Sequence, residues 1–118
     1  MAGTLKPCPD SPNCVSSLAT NKEQKIAPII YRGSQQAAKN HLLEVIKNMP
    51  RSEIMTVEDA YVHVTFTSLI FRFKDDLEFE FDDELKQIHL RSASRVGHSD
   101  FGVNRKRVEE IRQRFAAP

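Results

Sequence analysis

Cys8 and Cys14 enclose five residues near the start of the chain, and sulfur is the most versatile chemistry that this sequence offers. A thiolate can attack a substrate, two thiols can close a disulfide, and either can ligate a metal. Five intervening residues permit a disulfide through a tight loop. A zinc site needs about four ligands, and only the scattered His41, His63, His89 and His98 could complete one. The spacing is neither a thioredoxin-type pair nor a zinc knuckle. Plain reduced thiols that help pack the leader are the first expectation, a disulfide or redox pair the second, and a metal the last. No metal and no cofactor is expected.

Hydroxyl chemistry fares no better. Ser16, Ser17, Ser94 or Ser99 could act as a nucleophile with His89 or His98 as base. His98, Ser99 and Asp100 are adjacent, and adjacent side chains do not converge on one point as a triad must. No nucleophile-elbow glycine pattern surrounds any serine. Asp75 and Asp76 are neighbours on an expected strand and point to opposite faces, so they cannot share a substrate. Asp76 is expected to pair with Arg91 instead.

The basic segment near the end carries the stronger signal. Arg91, Ser94 and Arg95 precede a loop bounded by Gly97 and Gly102, after which Asn104, Arg105, Lys106 and Arg107 open a helix. Three bases in a first helical turn oppose the helix dipole, which favours anions there. They require an acid such as Asp76 or Asp100, or a bound anion. Successive helical positions diverge by about 100°, so Arg91, Arg95 and Arg107 are read as inward, with Arg105 and Lys106 outward. Together with Ser94, Asn104 and the counter-ion Asp76 or Asp100, these arginines suit a small carboxylate or phosphate. A purely structural salt-bridge network is the plainer use of the same residues. Nucleic acid is disfavoured, because no aromatic beyond Phe101 interleaves with the bases.

The elements that must position these groups follow from periodicity. Residues 1 to about 25 read as an irregular leader, with Pro7, Pro9 and Pro12 among turn formers. Ser34 is a candidate N-cap for a helix over Gln35 to Met49, whose apolar stripe is Ala38, Leu42, Val45, Ile46 and Met49. Pro50 stops it. A β-rich stretch follows, with Val62, Val64 and Phe66 on one face. The apolar phase then flips to Leu69, Phe71 and Phe73, which demands a bulge or turn near Thr67 and Ser68. Leu77, Phe79 and Phe81 form a further face, and pairing Phe79 with Ile88 sets Leu77 against Leu90, Glu78 against His89 and Asp76 against Arg91. Asn104 is the expected N-cap of a last helix, from about Arg105 to Phe115. Val103 and Val108 are its hydrophobic staple, and Glu110 and Arg114 its i,i+4 pair. The fold class is α+β: an antiparallel sheet of about four strands with two helices packed on it, in a single domain over 1–118.

Two stretches carry a family resemblance. Cys8-Pro9-Asp10-Ser11-Pro12-Asn13-Cys14-Val15-Ser16-Ser17 and the run from Arg91 to Arg107 resemble signatures of the domain-of-unknown-function family numbered 1499, and Phe73 to Phe79 is similar to a weaker motif. The resemblance spans nearly the whole chain and departs at His98, where an aromatic residue is expected. It implies a compact domain and no established activity.

Composition bounds the rest. The chain has 118 residues with 17 Lys plus Arg against 16 Asp plus Glu, so no overall charge draws it to nucleic acid or anionic surfaces. No apolar run is long enough to span a bilayer, and Met1 to Asn13 hold no apolar signal region. The expected location is cytoplasmic, with no membrane. The expected function is a non-enzymatic binding or accessory domain with an arginine-rich surface for a small anion. The alternative is a small enzyme using Cys8 or Cys14 as nucleophile beside an arginine-lined pocket.

Overall fold

The computed structural model describes residues 5–69, 72–96 and 102–117. Strands β1 (Cys14–Ser16) and β2 (Ile29–Ile30) precede helix α1 (Gln35–Lys47). Strands β3 (Ser52–Val57), β4 (Tyr61–Thr67), β5 (Lys74–Asp82) and β6 (Gln87–Ser94) follow, and helix α2 (Val103–Ala116) closes the order. The class is α+β, as expected. The antiparallel sheet has the order β1-β6-β5-β4-β3, with β2 also on β6. The β3–β6 meander supplies the four strands read from periodicity. The two extra strands are too short to show a period of their own, and exist because β6 offers them an edge.

Helix α1 begins where Ser34 accepts a hydrogen bond from the Ala37 amide at 3.0 Å. At its other end Ser52 donates to the carbonyls of Ile46 and Met49. This satisfies acceptors that a helix end leaves open. Leu42, Val45 and Ile46 join Val62, Val64, Phe66, Phe79, Ile88 and Leu90 in one buried cluster, as the alternation predicts. Val108 and Ile111 of α2 complete it, and His41 of α1 donates to the Phe115 carbonyl at 2.7 Å. Both helices therefore cover one face of the sheet and leave the other without a helix.

The register of one hairpin and the start of one helix differ from expectation. The β5–β6 hairpin pairs Phe79 with Leu90, Phe81 with Ile88 and Glu78 with Arg91, two residues away from the expected register. A shift of two preserves the face of every side chain, so the core assignment survives while the charge partners do not. The turn sets this register: Lys86 takes a left-handed φ of 55°, and the Leu85 amide donates to Asp82. Helix α2 starts at Val103 after Gly102, whose φ of 79° places it in the left-handed region. Asn104 is thus inside the helix rather than its cap. Val103 is the first residue of the helix and 41% exposed, so it does not stand before a cap as a staple requires. The turn expected near Thr67 and Ser68 is present, and the Ser68 amide donating to the Phe73 carbonyl at 2.8 Å closes the β4–β5 connection. Leu69 and Phe73 are exposed on it, and Phe71 lies outside the described residues.

Candidate functional site

Alternation along β4, β5 and β6 sends Tyr61, His63, Asp76, Glu78, Arg91 and Arg95 to the face that no helix covers. They form two rows across the strands. In one, His63 donates to Asp76 at 2.9 Å, and Arg95 grips the same carboxylate with Nε at 2.8 Å and Nη2 at 3.0 Å. The Arg95 guanidinium, and after it His63, hold the Asp76 carboxyl below its ordinary range against the opposing effect of burial. The same pairing raises Arg95. In the second row Tyr61 donates to Glu78. Burial first, and this hydrogen bond second, push the Tyr61 phenol up from its ordinary value, so it stays a donor.

Arg91 completes the second row differently. Its nearest carboxylate oxygen, on Glu78, stands 3.8 Å away. Its Nε is buried and has no hydrogen-bond partner among the described residues. Tyr61 draws the Glu78 carboxylate to itself, and the guanidinium fork is left with donors to spend.

The helix-covered face treats its basic residue in the opposite way. Arg107 of α2 pairs with Asp75, which is 5% exposed, and its guanidinium lies 4.8 Å from the Phe66 ring centroid. Asn104 is fully buried. It accepts from Ser92, donates to Ser94 at 2.9 Å, and donates to the Asn13 carbonyl at 3.2 Å. Ser94 and Asn104 therefore pin the leader to α2 and β6.

The leader is tied down on every side. Cys8 and Cys14 are joined in a disulfide with Cα atoms 5.8 Å apart, which corrects the expectation of reduced thiols. The turn formers between them bring the ends of the short loop within bonding reach. Gln24 donates to the carbonyls of Pro9 and Ser11, and Cys14 and Val15 are buried in β1. Neither sulfur is a thiolate here, so the cysteine-nucleophile alternative has no nucleophile in this state. Ser17 does lie 3.0 Å from His89 Nδ1. Its oxygen also accepts the Leu90 amide at 2.9 Å, and the residue is 2% exposed, so the pair bonds the leader to β6 and offers no substrate access. Among the described residues no group of His, Cys, Asp or Glu could hold a metal ion.

Of the expected site residues, Arg91, Arg95 and Asp76 share the open face. Arg107, Ser94 and Asn104 belong to the helix side, and Asp100 lies outside the described residues. Asp76 serves as counter-ion to Arg95 rather than as partner to Arg91. Sequence reasoning missed Tyr61, His63 and Glu78. Their signal was available, because each alternates with the core residues Val62, Val64, Leu77 and Phe79. The model of a family described as Protein of unknown function (DUF1499) matches residues 4–115. Among curated proteins none matches the chain.

Proposed function

The chain belongs to the DUF1499 family, and we propose that it is a non-enzymatic binding domain whose open sheet face takes a small oxyanion at Arg91. One observation supports the reading: a largely buried guanidinium whose Nε has no acceptor among the described residues. A buried donor left unpaired costs about 1–3 kcal/mol, and native proteins rarely leave one without an ion, a water or a role. A carboxylate or phosphate oxygen supplies the missing acceptor, and the arginine fork suits both. Arg95 and Asp76 border the site as an internally neutral pair, and Arg91, held only loosely by Glu78 at 3.8 Å, is the cation the ligand meets.

The disulfide bears on compartment. Reducing cytosol opens such bonds and oxidising compartments keep them, so the proposed cytoplasmic location requires the leader in its dithiol form.

The test is a thermal-shift screen of phosphate, sulfate, acetate and glutamate at low salt, on the native chain and on Arg91→Gln. An anion at about 100 times its dissociation constant stabilises the fold by about 2.7 kcal/mol. The native chain should shift and Arg91→Gln should not. No shift in the native chain, or the same shift in both, would mean that an ordered water satisfies Arg91 and that the face is structural.

A further inference from the structure

At the Lys74 end of the sheet, the β4–β5 connection carries a second surface. Leu69 is 66% and Phe73 48% exposed, large apolar side chains with much of their surface accessible. The Ser68 amide donates to the Phe73 carbonyl and Ser68 Oγ accepts the Phe73 amide, each at 2.8 Å, which fixes Phe73 against the end of β4 beside Leu69. Beside the tip a shallow cleft of about 410 Å³ is lined by Arg51, Ser52, Glu53, Thr67, Arg72 and Lys74.

The charge there is uncompensated. Arg95, Arg107 and Arg114 each pair with a carboxylate. Arg51, Arg72 and Lys74 pair with none among the described residues, and Glu53 is the one acid in the cleft. Exposed apolar groups flanked by unpaired cations mark a surface built to meet something both anionic and apolar.

We propose that this end of the molecule docks on an anionic membrane surface. Leu69 and Phe73 enter the boundary between headgroups and acyl chains, and Arg51, Arg72 and Lys74 meet lipid phosphates. An amphipathic acidic peptide would need an apolar groove to lie in, and every residue lining this cleft is polar or charged. No helix among the described residues is long and apolar enough to cross a membrane. The attachment is therefore peripheral, and salt weakens it.

Flotation of the full chain with phosphatidylcholine vesicles, with and without phosphatidylglycerol, tests the proposal. The chain should float with the anionic vesicles alone and be released by high salt. Leu69→Asp should abolish flotation without lowering the melting temperature, since that side chain is exposed. Each base near the surface contributes about fivefold in partitioning, so Arg72→Gln should lose about that factor. Arg91→Gln should float as the native chain does, which separates this surface from the anion site. Three results would overturn the proposal: no flotation with anionic vesicles, equal flotation with neutral ones, or flotation untouched by Leu69→Asp. Retention on polyglutamate beads without flotation would assign the surface to an acidic protein instead.

Discussion

Arg107 and Arg91 stand on opposite faces of one sheet, and their environments differ in what has been done for the guanidinium. On the helix side Arg107 has Asp75 as counter-ion and Phe66 beneath it. On the open side Arg91 has a carboxylate 3.8 Å away that is engaged by Tyr61, and an Nε with no partner among the described residues. Both side chains are mostly buried, at 14% and 16% exposed, so burial does not separate them. Satisfaction does. A paired buried arginine holds the fold together, whereas an arginine with spare donors is placed to bind.

That contrast breaks first at Arg107. Arg107→Ala leaves Asp75 as an uncompensated buried charge, and such losses cost about 3–5 kcal/mol. Urea denaturation should show a drop of that size, and adding Asp75→Asn should recover part of it. An Arg107→Ala variant as stable as the native chain would remove the structural half of the comparison.

Arg91→Met should move the other way. It replaces an orphan donor with an apolar chain of similar length, so stability should hold or rise by about 1 kcal/mol. The anion-dependent melting shift should disappear with it. A loss of stability comparable to that of Arg107→Ala would show that Arg91 is satisfied in solution.

The smallest effect belongs to Asp76, which sharpens the comparison by titration. Its carboxyl is lowered below the unfolded value of 3.8, chiefly by Arg95. A group depressed in the folded state contributes stability that is complete above the unfolded pKa and is lost as pH falls through the folded one. Asp76→Asn should therefore lower stability at neutral pH slightly and flatten the acid limb of the melting curve. The Asp76–Arg95 pair is half-exposed, so solvent screening keeps the change modest. Identical acid limbs for the two chains would mean that the pair does not form.

Much of the fold was legible because it rests on period. Alternation placed Val62, Val64, Phe66, Phe79, Ile88 and Leu90 in the core, and a period of 3.6 placed Leu42, Val45 and Ile46 over them. The N-cap at Ser34 was legible for the same local reason. Less of the candidate site could be read. Arg91, Arg95 and Asp76 were singled out and do share a face, but their expected convergence with Arg107 does not occur, because α2 approaches from the other side of the sheet.

By itself, then, the sequence determined the class of the fold and the face of each strand residue, since both depend on neighbours within a few positions. Tertiary structure alone decided three things. The β5–β6 turn, with Lys86 in a left-handed conformation, chose a register two residues from the expected one and so chose Arg91 as the partner of Glu78. The leader became a strand only because β6 had a free edge and Asn104 reached the Asn13 carbonyl across 91 residues of chain. The competition of Tyr61 and Arg91 for one carboxylate exists only where three strands lie side by side. Alternation is local, whereas a hydrogen bond is a choice among all the donors that the fold brings within reach, and that choice cannot be made before the chain is folded.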